Sequence, residues 1–115
     1  MFYANYSIER KGKSMNKRKL EDILDGLGVP LGQLGYKCWI AAVKFKIENP
    51  NLMMGEIYEN VAKEYGTTPV RVERNLRHTY KHKKDFIRKY FGVDCNIGNS
   101  TVLALLVREM EREEC

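Results

Sequence analysis

A chain of 115 residues, 43% of them hydrophobic, with a net charge of +5, has the length of one domain and enough apolar material for one modest core. No run of about 18 apolar residues occurs, and Met1 to Asn16 is polar and basic without an apolar segment. No membrane span and no secretory signal are expected, and a cytoplasmic location is expected. The three cysteines, Cys38, Cys95 and Cys115, are odd in number and widely spaced, which reads as reduced thiols and not as a disulfide framework.

Residues 1 to 16 show no helical period and read as a flexible basic N-terminal arm, with residues 17 to 115 as the folded domain. The first helix runs from Asn16 to Leu27, where Leu20, Ile23, Leu24 and Leu27 recur at helical spacing and Gly28 ends it. Val29-Pro30 then forces an extended step, because the residue before proline avoids the helical region, and Gly32 and Gly35 loosen the link further. A second helix, Tyr36 to Glu48, carries the stripe Tyr36, Trp39, Ile40, Val43 and Ile47, with Trp39 as a core anchor. Asn49-Pro50-Asn51 stops it, and Met53-Met54 reads as core packing, with an exposed patch for RNA polymerase as the second reading.

The third helix, Glu56 to Tyr65, places Ile57, Tyr58, Val61, Ala62 and Tyr65 on one side. Ala62 lets a following helix cross closely, and Gly66 can take the left-handed conformation that ends a helix. Thr68 suits the N-cap and Pro69 the first position of a fourth helix reaching Lys83. On that helix Val72, Leu76, Thr79 and Tyr80 face inward, Arg71, Arg74, Asn75, His78 and His82 fall on the opposite face, and Glu73, Arg77, Lys81 and Lys84 lie on its shoulder. A fifth helix covers Asp85 to Phe91 and ends at Gly92. Ser100 caps a last helix that turns Val102, Leu103, Leu106, Val107 and Met110 inward. No strand period, internal repeat or low-complexity tract is present, so the expected fold is all-α, about six helices around a central helix-turn-helix, without a wing sheet.

Charge falls unevenly along this order. Arg71 to Tyr90 holds eight basic residues against two acids, and Arg10 to Lys19 holds six bases and no acid. Glu109, Glu111, Glu113 and Glu114 make the C-terminal end acidic, which orients the basic stripe toward a polyanion. Arginine binds guanine O6 and N7 with two hydrogen bonds and glutamate accepts from the cytosine amino group. Glu73 beside Arg71, Arg74 and Arg77 therefore reads as a reader of G·C pairs, or equally as an internal ion pair that holds Arg77. Arg74 is the first choice for direct base readout. Arg71, Arg77 and Lys81 suit phosphates, which position a protein without specifying a sequence. Thr67 and Thr68 stand at a helix N-terminus, where a phosphate is also favoured, and Lys84 extends the phosphate-binding set.

Several words of this chain also resemble one family. Gly28-Val29-Pro30, Gly35-Tyr36, Val61-Ala62-Lys63 with Thr67-Thr68, Arg71-Val72-Glu73-Arg74 followed by Arg77-His78, then Phe91-Gly92 and Asn99-Ser100 are similar, in this order, to the C-terminal effector domain of the stage zero sporulation protein A family of response regulators. The likeness spans residues 17 to 113, and the run from Arg71 to His78 is its most specific part. It implies sequence-specific binding of double-stranded DNA and transcriptional regulation in sporulation. Base contacts are implied from Arg71, Glu73, Arg74 and His78 to a box of the type TGTCGAA. It also implies a monomer in solution that pairs on adjacent boxes; RNA polymerase is a further candidate partner through the Met53-Met54 patch. The full family protein carries a phosphorylated receiver ahead of this module. The chain has no room for one, so binding without phosphorylation control is the expectation here. The segments between the fourth and fifth helices and before the last helix look shorter than is usual in the family.

Other functions find little support. His78 and His82 have the i, i+4 spacing of a zinc pair but no third ligand near in sequence, so no metal or other cofactor is expected. Cys95 lies in a loop without a histidine partner close in sequence, no glycine-rich phosphate loop exists, and the chain does not read as an enzyme. The alternative from a different class is a protein-interaction module that binds RNA polymerase or competes with a full-length regulator. RNA binding ranks third, since no aromatic stacking platform stands among the basic residues.

Overall fold

Six helices account for the regular structure among residues 15 to 112, the part of the chain that the computed structural model describes: α1 (Lys17–Gly26), α2 (Leu34–Glu48), α3 (Met54–Tyr65), α4 (Pro69–His78), α5 (Lys84–Phe91) and α6 (Asn99–Glu111). No strand occurs among the described residues, and no helix there is long and apolar enough to cross a membrane. Of the arm read over residues 1 to 16, residues 1 to 14 lie outside the described part. Met15 packs against the core, and the Asn16 side chain accepts from the Lys19 N–H to cap α1.

The centre of the fold is α2. Its sequence is apolar on almost every side, and it buries Gly35, Tyr36, Cys38, Trp39, Ala41, Ala42 and Val43. A helix of that kind is stable only when enclosed, and α1, α3, α4 and α6 all pack on it. The single stripe read from the sequence was too narrow: Ile40 and Ile47 are only half-buried, while Cys38, Ala41 and Ala42 are among the most enclosed residues. Around α2, the apolar faces are Leu20 and Leu24 of α1, Ile57 and Val61 of α3, Val72 and Leu76 of α4, and Val102, Leu103, Leu105 and Leu106 of α6.

Three sequence expectations are corrected. First, α4 stops at His78 and does not reach Lys83. The Leu76 carbonyl, which a continuing helix would offer to the Tyr80 N–H, is taken instead by the Thr79 N–H and the Thr79 hydroxyl, and the Tyr80 N–H turns back to Arg77. Lys81 and His82 therefore sit on a turn, and Lys84 opens α5, so neither lysine lies on the shoulder of α4. Second, Ser100 does not cap α6. Gly98 occupies that position, and Asn99, the first helical residue, turns its side chain inward. Third, Met53 is 72% exposed and is not part of the core, unlike the partly buried Met54.

Gly35 is also not a linker residue. It lies in the first turn of α2, where α4 crosses, and a Cβ there would stand 2.5 Å from Thr79 Cγ2 and 2.9 Å from the Asn75 carbonyl oxygen. Gly35→Ala is therefore expected to destabilise the protein by about 1–3 kcal/mol through overpacking. The control is Gly55→Ala. Gly55 lies within α3, and a Cβ at that position would meet nothing within 4 Å, so alanine there should stabilise the helix by about 0.5–1 kcal/mol. Thermal unfolding of the two variants checks the crossing, and equal melting temperatures would contradict it.

Candidate nucleic-acid interface

Gly66, Thr67 and Thr68 link α3 to α4. Gly66 adopts φ 63° and ψ 40°, and its N–H returns to the Ala62 carbonyl. The Thr67 N–H reaches the same oxygen at 2.9 Å. Only a residue without a side-chain penalty holds this left-handed geometry cheaply, and the paired bonds close the end of α3. Thr68 is extended, and its Oγ1 accepts from the Arg71 N–H at 3.3 Å. Pro69 supplies no N–H, and the Arg71 N–H is already used, so the start of α4 offers few free amides. What remains for an anion is the Val70 N–H, the Thr68 hydroxyl proton and the side chains around them.

Burial fixes which side of α4 is open. Val72 and Leu76 are buried, whereas Val70, Arg71, Arg74, Arg77 and His78 are exposed. Asn75, read as part of the open face, is half-buried because its turn of α4 lies on Gly35 of α2. Arg71 and Arg74 share a shallow cleft with Thr67, Asn75 and Leu34. A second cleft continues past Asn75 to His78 and His82, opposite Pro30 and Gln33. Arg77, Glu73 and Lys84 line a third with Ser100 at the start of α6. The base-reading and phosphate-binding candidates are thus gathered along one exposed helix and its two ends, with Lys81 on the turn beyond it.

The basic stripe divides into occupied and open cations. Arg77 donates to Glu73 through Nε at 3.0 Å and Nη2 at 3.3 Å, which is the ion pair that the sequence left as one of two readings. This pairing pushes Arg77 further into its charged form, and burial opposes it only weakly. It leaves three guanidinium N–H groups free and a lone pair on each Glu73 oxygen. Lys83 donates to the Gly28 carbonyl, and Arg88 donates to Asp85 and to the Cys95 carbonyl. Arg71, Arg74, Lys81, Lys84 and Lys89 make no side-chain hydrogen bond or ion pair among the described residues.

Two supports of α4 were missed by sequence reasoning. Trp39 Nε1 donates to Thr79 Oγ1 at 2.7 Å, tying the centre of α2 to the end of α4. Asn99 is the one buried polar residue among the described residues, and its amide collects three bonds. Oδ1 accepts from the Tyr80 hydroxyl at 2.6 Å, and Nδ2 donates to the Tyr58 hydroxyl and to the Glu73 carbonyl. Asparagine opening a helix ordinarily signals a cap, so the sequence carried no sign of this role. For Gly35 the available signal was its place four residues before Trp39, on the same face of α2.

Among the described residues no group of three or more His, Cys, Asp or Glu is placed to hold a metal, and the His78–His82 pair gains no third ligand. Cys38 is buried and Cys95 exposed, both as free thiols. Residues 20–110 match the family described as "Sporulation initiation factor Spo0A C terminal".

The same burial that builds the interface makes it sensitive to alkali. Burial, with the neighbouring Tyr58 and Glu73, pushes the Tyr80 hydroxyl from 10.0 up to about 12, and burial pushes the Cys38 thiol from 9.0 up to about 11. Both groups are held neutral by the fold. Their contribution to stability is complete below the unfolded values and is lost as pH rises through the folded ones. Stability should therefore fall between pH 9.0 and about 12. Tyr80→Phe should remove part of that fall and, by leaving the Asn99 oxygen without its donor, cost about 1–3 kcal/mol near neutral pH. Chemical denaturation across this range tests both signs. A variant as stable as the parent at pH 7 would show that the bond from Tyr80 to Asn99 contributes nothing.

Proposed function

The chain belongs to the Spo0A C-terminal family, the DNA-binding effector domains of sporulation regulators, and on that premise we propose that it binds double-stranded DNA sequence-specifically through the exposed face of α4. The observation that carries this reading is the selective openness of Arg71 and Arg74. They project from the second helix of a helix-turn-helix and have no partner among the described residues, while Lys83 and Arg88 nearby are held by the chain itself. A recognition helix presents such side chains to base edges in the major groove.

In this reading Arg74 and Arg71 donate to guanine and His78 contacts a base near the end of the helix. Glu73 plays two parts: it orders Arg77 and presents its remaining lone pairs to a cytosine amino group. Thr67, Thr68, Arg77, Lys81 and Lys84 contact phosphates and set the register. Arg77 suits that role because Glu73 already fixes its guanidinium, so less side-chain freedom is lost on binding. The protein acts as a monomer in solution that pairs on adjacent boxes, and it regulates transcription without catalysing a reaction. A second partner, RNA polymerase, is supported by exposed apolar side chains: Met53, 72% exposed where the sequence offered such a patch, and Phe86 and Tyr90 of α5, 49% and 45% exposed with their rings tilted at a centroid distance of 6.2 Å.

Arg74→Ala should weaken binding by about 1–3 kcal/mol and relax the preference at one base pair, whereas Lys81→Ala should weaken all sequences alike. A library of duplexes varied around TGTCGAA separates the two behaviours, and a uniform loss in both variants would overturn the assignment.

Neutralising about four to six phosphates predicts a slope of log K against log salt of roughly −4 to −5. Titration from low to moderate salt measures it. A flat dependence, or binding to duplex only after a protein partner is added, would favour the protein-interaction reading carried by Phe86 and Tyr90.

A further inference from the structure

We propose that Val70 reads the C5-methyl group of a thymine in the major groove, about two base steps from the base contacted by Arg74; this rests on the reading that α4 enters that groove. Val70 is 65% exposed, and of the large exposed hydrophobic residues it is the one that lies on α4. It follows Pro69 in the first turn, two residues from the fully buried Val72, so it points about 160° away from the core. Arg74 is four residues on, about 40° away on the same open face and about 6 Å further along the axis. At about 3.4 Å per base step, the two side chains address bases about two steps apart.

The chemistry selects the ligand. Valine has neither donor nor acceptor, so it cannot distinguish the polar edges of guanine, adenine or cytosine. The thymine methyl is the one apolar group that an unmodified duplex presents in the major groove. The other exposed residues that follow Val70 on the open face are Arg71, Arg74, Arg77 and His78, which seek charge or hydrogen bonds. Valine is also held to few rotamers in a helix, so a methyl contact orders little that is not already ordered. The N-terminal residues of a recognition helix are those that approach base edges most closely.

The test uses the full chain and a site selected from random duplexes. Each thymine of that site is replaced in turn by deoxyuridine, which removes the methyl and keeps the pairing. One replacement should weaken the parent protein about fourfold, the value of one buried methyl group. Val70→Ala should lose most of that sensitivity while keeping the melting temperature of the parent, because the side chain is largely exposed and lies outside the core. If no single replacement matters, or if Val70→Ala responds to the same replacement as strongly as the parent, the proposal is overturned. Failure to select any duplex would overturn the DNA-binding reading as well. A selected site whose guanine preference depends on Arg74 but which ignores uracil would overturn the Val70 assignment alone.

Discussion

The close crossing of α2 and α4 at Gly35 is the constraint on which the remaining structure depends. With no side chain at Gly35, the backbone of α4 around Asn75 and Thr79 comes against the first turn of α2. At that distance the Trp39 indole N–H, buried at the centre of the fold, meets the Thr79 hydroxyl. A buried indole without an acceptor would be destabilising, so this bond and the glycine belong to one arrangement. The same bond helps to end α4, since Thr79 turns back on the Leu76 carbonyl. The depth at which α2 is buried, the position of α4 and the length of α4 follow from one contact.

Above that crossing, α4 is held from both sides by polar contacts that leave its outer face untouched. On one side lies Thr79 with Trp39. On the other, Asn99 binds the Glu73 carbonyl, the Tyr58 hydroxyl and the Tyr80 hydroxyl, joining α3, α4 and α6. A buried network in which every member is satisfied fixes one geometry, because any other leaves a polar group unpaired in a low-dielectric interior. The helix that carries Arg71 and Arg74 is therefore set in orientation by buried and half-buried residues on its inner side.

Charge is distributed by the same logic. A stripe with an excess of cations repels itself, and the fold reduces this by giving Arg77 to Glu73, Arg88 to Asp85 and Lys83 to a carbonyl. These pairs are exposed and contribute little to stability. Their effect is to fix some cations of the stripe in place and leave Arg71, Arg74, Lys81, Lys84 and Lys89 open among the described residues. The two classes lie on one helix and its flanks, and they differ in how much side-chain freedom a contact with a polyanion would remove.

The sequence alone determined the helix-turn-helix: Gly66 as a left-handed end, Thr68 and Pro69 as a start, and the outward basic side chains between two buried apolar positions. Each of these depends on residues within a turn or two of one another, where capping and the helical period act. It also determined that no strand would form among the described residues, since their apolar positions repeat at helical spacing. The tertiary structure decided the rest. The end of α4 rests on a bond between Trp39 and Thr79, the inward Asn99 on partners in three other elements, and the role of Gly35 on a helix that arrives much later in the chain. Which of the basic residues stay open was also decided there, because Lys83 meets Gly28 only when α1 and α5 are brought together. Such contacts leave no period in the sequence, since nothing local requires them until the distant partner is in place.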